Sequence, residues 1–130
     1  MKILLSVKPE YIDKIFNGTK TFEYRRKLPQ KRISSIIFYA TDPVQKIVGE
    51  AEVTNIISSS PTALWEKTKH SAGISREKYR KYFSDCKHAN AFVLGKVTKY
   101  QNPQPLSYYG IIKAPQSFRY WTFSKDHFDL

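Results

Sequence analysis

Cysteine is almost absent from this chain. Cys86 is the only one in 130 residues, so no internal disulfide can form and a cytoplasmic home is the expectation. Glycine is also sparse: positions 18, 49, 73, 95 and 110 are too scattered for a glycine-rich phosphate or dinucleotide loop. His70, His88 and His127 stand too far apart for a zinc motif, and one thiol cannot make a thiolate site. The sequence therefore calls for no metal and no cofactor. No apolar run approaches the roughly 18 residues of a membrane span, so no membrane partner is expected. Met1-Lys2-Ile3-Leu4-Leu5 opens like a secretory leader, but Lys8, Glu10 and Asp13 follow too soon for an apolar stretch. Acids are scarce as well. Eleven Asp and Glu face 22 Lys and Arg, a net charge of +11, which points to a polyanionic partner.

What is present suits one globular unit. With 41% hydrophobic and 15% aromatic residues, residues 1–130 can build a single core, and disorder is unexpected. Ile3, Leu5 and Val7 alternate as a first strand. Pro9 opens a helix with Glu10 and Asp13 near its positive end, and Tyr11, Ile12, Ile15 and Phe16 form its buried stripe. Gly18 ends it. Strands are expected over residues 20–26, 33–41 and 47–54, the last with one wet face. Ser60-Pro61 caps a helix carrying Leu64 and Trp65. Ser75 caps another, in which Ile74 staples onto Tyr79. A strand over 91–100 follows, then a path through Pro103, Pro105 and Pro115 unsuited to a helix. Residues 118–123 supply a closing strand. Three strands in a row between residues 20 and 58 argue against a parallel, doubly wound sheet. The expected fold is α+β: a small mixed β-barrel decorated by about three short helices.

The densest chemistry lies at Gly18-Thr19-Lys20-Thr21-Phe22-Glu23-Tyr24-Arg25-Arg26. In an extended strand Glu23 and Arg25 share a face and can pair, while Phe22, Tyr24 and Arg26 take the other. Lys20 falls at the mouth of any cavity that the sheet encloses. An acid between an arginine and a lysine stays charged, orienting the cations rather than serving as a ready proton donor. From spacing alone, an ordinary surface ion pair explains the pattern equally well.

The pattern Gly18-x-Lys20-x-x-Glu23-x-Arg25, after a helix and opening a strand, resembles the signature of the ASCH domain, a PUA-like β-barrel family. Leu5-Ser6-Val7-Lys8-Pro9, Ile36 to Tyr39, Val48-Gly49-Glu50, Gly73-Ile74-Ser75 and Pro115-Gln116-Ser117-Phe118 extend the likeness, which is to the small prokaryotic and phage type. The resemblance implies a closed or nearly closed barrel and a cleft floored by Lys20, Glu23 and Arg25 that binds RNA. It also implies an enzymatic alternative, since some relatives are acetylcytidine amidohydrolases and others ribonucleases. In the amidohydrolase type a lysine, a threonine three residues on and a distant glutamate act together. Lys20 matches the lysine. Glu23 stands where the threonine belongs, and His70-Ser71-Ala72-Gly73 where the glutamate belongs.

The first 35 residues hold nine Lys or Arg against three acids, and the basic turn at 25–32 is a plausible phosphate track. Arg76 and Arg80, one helical turn apart, are candidates for a groove rim. Tyr24 and Tyr109 are the leading candidates among the aromatics for stacking on a base. The expected activity is a basic cleft holding RNA or a modified nucleotide, built from Lys8, Lys20, Glu23, Tyr24, Arg25, Arg26, Arg76 and Tyr109. The alternative is a small nucleic-acid-directed hydrolase with Lys20 and Glu23 as its catalytic pair. Binding ranks first because catalysis by Lys20 needs burial or neighbouring cations to lower its pKa, whereas Glu23 beside it pushes the pKa upward.

Overall fold

Alternation in the first residues produces β1 (Lys2–Val7), which is buried on both faces: Ile3, Leu5 and Val7 on one, Leu4 on the other. The computed structural model describes residues 1–122; Phe123 of the expected closing strand, and His127, lie outside the described residues. The chain continues through α1 (Pro9–Phe16), β2 (Phe22–Arg25), β3 (Ser35–Ala40) and β4 (Lys46–Ser59). It then forms α2 (Pro61–Thr68), α3 (Arg76–Tyr82), β5 (Ala89–Gln104) and β6 (Phe118–Trp121). The strands lie in the order β2-β5-β4-β3-β1-β6, with β1 and β3 parallel and every other pair antiparallel. The mixed sheet curls into a half-barrel with three helices, the α+β, PUA-like architecture expected.

Three apolar clusters hold it together. The first joins β1, β3 and β4 to Ile12 and Ile15 of α1. A second, on the other face, packs Leu4 and Ile37 against Tyr109, Ile111 and Trp121. The third seats α2 and α3 on β2 and β5 through Tyr24, Leu64, Tyr79 and Phe83. Ser60 and Ser75 cap their helices as expected, accepting from the backbone N–H of Ala63 and Lys78. Ile74 joins Tyr79 in the third cluster.

Three expectations about strands need correction. β5 runs past the expected 91–100, through Pro103 to Gln104. β4 is longer than 47–54, and shifts of register beside Ile47, Ala51 and Val53 break its alternation, so Val48 is buried alongside Ile47 and Gly49. β2 is shorter than 20–26 because the backbone N–H groups before it have other acceptors. Lys20 donates to Lys14 at the end of α1, and Thr21 to Ser71 in the loop before α3. Lys20 is thus tied to a helix end and a distant loop, outside the strand.

A cation-rimmed candidate site over a buried lysine

The end of β1, the segment from Lys20 to Arg26 and one flank of α3 enclose a cleft of about 580 Å³. Among the described residues six cations and a single carboxylate, Glu23, line it. At its floor lies Lys20, only 4% exposed. Its side chain runs beneath Gly73, whose φ of +66° lets the loop fold over it and whose missing Cβ leaves room for the stem. The Nζ donates to the carbonyl of Ala72 at 2.8 Å and sits 4.9 Å from the Tyr24 ring centroid and 5.6 Å from that of Tyr11.

Burial lowers the pKa of Lys20. Glu23 pushes it upward, Lys14 and Arg25 push it down again, and burial is the largest effect. Glu23 thus pushes upward as expected, but burial outweighs it, so the conflict that ranked catalysis second resolves toward a lowered pKa. The lysine is also deeper than the mouth position suggested by spacing.

Glu23 and Arg25 pair as the strand geometry requires. Arg25 donates twice to one oxygen, Glu23 Oε2, from its η2 nitrogen at 2.8 Å and from Nε at 3.1 Å. The second oxygen, Oε1, accepts no hydrogen bond from the described residues. Arg26 sits over Tyr82, its Cζ 4.4 Å from the ring centroid, and its Nε donates to the Tyr82 carbonyl at 2.9 Å. Lys8, exposed before α1, completes the near wall.

Tyr24 is mainly a core residue. It is 6% exposed, meets Tyr79 and Phe83 edge to face, and donates to Thr68 Oγ1 at 2.6 Å. Burial pushes its phenol up to about 12. Its ring is covered by the Lys20 ammonium, which explains why it is no open stacking platform. Tyr24→Phe is expected to cost about 1–2 kcal/mol, the loss of one buried hydrogen bond, because the Thr68 hydroxyl loses its donor but keeps its own bond to the Leu64 carbonyl. The ring under Lys20 is unchanged, so the shift belongs in urea unfolding and not in turnover.

Two expected site residues are elsewhere. Arg76 faces a different hollow with Arg80, because residues 76 and 80 occupy the flank of α3 opposite Lys78, Lys81 and Tyr82. Lys78, Lys81 and Tyr82, at helical spacing, form the actual rim. Tyr109 is 8% exposed and packs edge to face on Trp121 in the second cluster. In the basic turn, Lys31 turns to Tyr120, its Nζ 5.2 Å from that ring, and does not line the cleft. The amidohydrolase arrangement is not reproduced either: Ala72 gives Lys20 a carbonyl where that chemistry places a carboxylate, and the Thr19 hydroxyl is bonded to Asn17 Oδ1 at 2.7 Å.

A mixed half-barrel with three helices, here with a lysine–glutamate–arginine trio at the foot of a cation-lined cleft, defines a PUA-like class of domain. The ASCH domain matches residues 5–103, and the chain belongs to that family. Among solved structures it resembles the ASCH protein of Zymomonas mobilis, with a TM-score of 0.86 and 29% identity over 98% of this chain and 91% of the other. The N-terminal domain of Staphylothermus marinus McrB shares the fold at a TM-score of 0.51 and 16% identity, over 82% of this chain and 77% of that one. A curated relative from Zymomonas mobilis, named ASCH domain-containing ribonuclease, is 36% identical over 70% of this chain, which spans 62% of that relative's length. A Ureaplasma parvum chain named ATP synthase subunit alpha is 32% identical over 91% of this chain, but this chain spans only 15% of it.

Proposed function

We propose that the cleft takes single-stranded RNA and cuts it, with Lys20 and Glu23 as the proton-transfer pair. The observation that carries this reading is a buried lysine, its pKa lowered, beside a carboxylate with one oxygen free, at the bottom of a cation-lined cleft. The ribonuclease name of the Zymomonas relative supports the same choice of substrate. Glu23 Oε1 accepts the proton of a ribose 2′-hydroxyl, and the 2′ oxygen attacks the neighbouring phosphorus. The bond from phosphorus to the 5′ oxygen breaks, and the Lys20 ammonium gives that oxygen its proton. The products are a 2′,3′-cyclic phosphate and a 5′-hydroxyl, after which Glu23 gives its proton to solvent and Lys20 takes one back. Arg25, fixed by its two bonds to Glu23, and the lysines of the rim meet the charge that grows on the phosphorus oxygens. The trio is ready-made for this: Arg25 occupies Oε2, so Oε1 is left to the substrate.

The test is direct. Labelled RNA and DNA of one sequence are incubated with the protein and their ends analysed. RNA cut to cyclic-phosphate ends with DNA intact is the expected result; RNA bound but never cut, at any pH, removes the reading. The rim has its own signature. Lys78→Ala with Lys81→Ala is expected to weaken RNA binding and to flatten the log–log salt slope by about 1.4, for two phosphate contacts on a single strand. Affinities measured across a salt series check it.

A further inference from the structure

Helix α3 carries cations on two sides. Lys78 and Lys81 face the cleft, while Arg76 and Arg80 face a separate hollow of about 400 Å³ between α2 and α3. That hollow has an aromatic floor. Half-buried Trp65 packs on Tyr79 with centroids 4.7 Å apart, and Phe83 extends the surface. The Tyr79 hydroxyl is taken by the Pro61 carbonyl at 2.7 Å, leaving its ring to the hollow. Among the described residues no acid lines this space. Glu66, whose carboxylate feels Arg76, is held by Lys69 at 2.7 Å. Both arginines are exposed, and neither guanidinium donates a hydrogen bond to a described residue.

Two guanidinium groups without a hydrogen-bond acceptor among the described residues, lining one hollow with an indole and no carboxylate, suit one kind of occupant: a flat base with phosphates on either side of it. We propose that the hollow between α2 and α3 is a second nucleotide subsite, where Trp65 stacks on an unpaired base and Arg76 and Arg80 hold its phosphates. It rests on the reading of the cleft as an RNA site, and it makes α3 a saddle. A helix with its side chains is about 10–12 Å across, so a strand seated in the cleft reaches the far side within a few nucleotides. Lys78 and Lys81 then grip it before the crossing, and Arg76 and Arg80 after it.

Oligouridylates of three and ten nucleotides are the probes, with the Lys20→Met protein keeping them uncut. Trp121 is buried, so a change in tryptophan emission reports on Trp65. The decamer is expected to quench that emission, and Trp65→Phe to remove the quench. Arg76→Ala with Arg80→Ala, both surface changes, is expected to weaken the decamer about tenfold or more and leave the trimer unchanged. Equal effects on both lengths, a quench that survives Trp65→Phe, or polyglutamate quenching as tightly as the decamer each overturns the proposal. RNA cleavage by the parent protein without a Trp65 quench sinks the subsite alone, whereas a quench with no cleavage keeps the subsite and sinks the catalytic reading.

Discussion

Lys20→Met is expected to lower RNA cleavage by a factor of about 10²–10⁴ while leaving the protein folded and at least as stable. Methionine keeps most of the stem that Gly73 covers, so packing survives. What goes is a charge held against its preference for water, one hydrogen bond to Ala72 and the contacts with two tyrosine rings. The lowered pKa gives the sign of the stability effect. Between the folded value and the ordinary 10.5, the unfolded chain binds the Lys20 proton and the folded chain does not, so parent stability rises with pH across that window. The Met variant has no such rise. Its advantage is therefore full below the folded pKa and gone above 10.5. Denaturant unfolding of both proteins at several alkaline pH values measures this, and a parent curve parallel to the variant's contradicts it. Cleavage by the parent should fall over the same interval, because the proton donor is being lost.

Gly73→Ala is expected to cost about 2–5 kcal/mol and to silence the site. Two penalties combine. A φ of +66° costs an L-residue roughly 1–2 kcal/mol. The new methyl would stand 2.4 Å from the Lys20 Cβ and 2.6 Å from its Cγ, which adds overpacking of about 1–3 kcal/mol. Lys20 cannot step aside easily, since its backbone N–H is bonded to Lys14 and its ammonium to Ala72. Thermal melting together with an RNA-cleavage assay checks both halves. A variant that melts like the parent and cuts RNA normally would show that the loop can shift freely.

The trio was legible in the sequence because a strand repeats every two residues, which puts Glu23 and Arg25 on one side whatever else surrounds them. The opposite face of the question was hidden. Whether burial or Glu23 governs Lys20 depends on Ala72 and Gly73, which lie 52 and 53 positions away and close over it only in the folded chain. Lys78, Lys81 and Tyr82 carried a usable signal in their spacing of three and four, but choosing that flank of α3 over the one bearing Arg76 and Arg80 needs the location of β2. Tyr109 was misplaced for a similar reason. Its partner Trp121 comes from β6, and aromatic content alone does not separate a stacking platform from a core ring. The strand ends failed where bulges did the work, in β4 and in the stretch of β5 between Lys99 and Gln104, where Pro103 is accommodated.

Lys2 stands opposite Trp121 in the antiparallel ladder of β1 and β6. The pairing with β6 thus takes up the first residues of β1, while the cleft is walled by the far end of β1, by β2 and by α3.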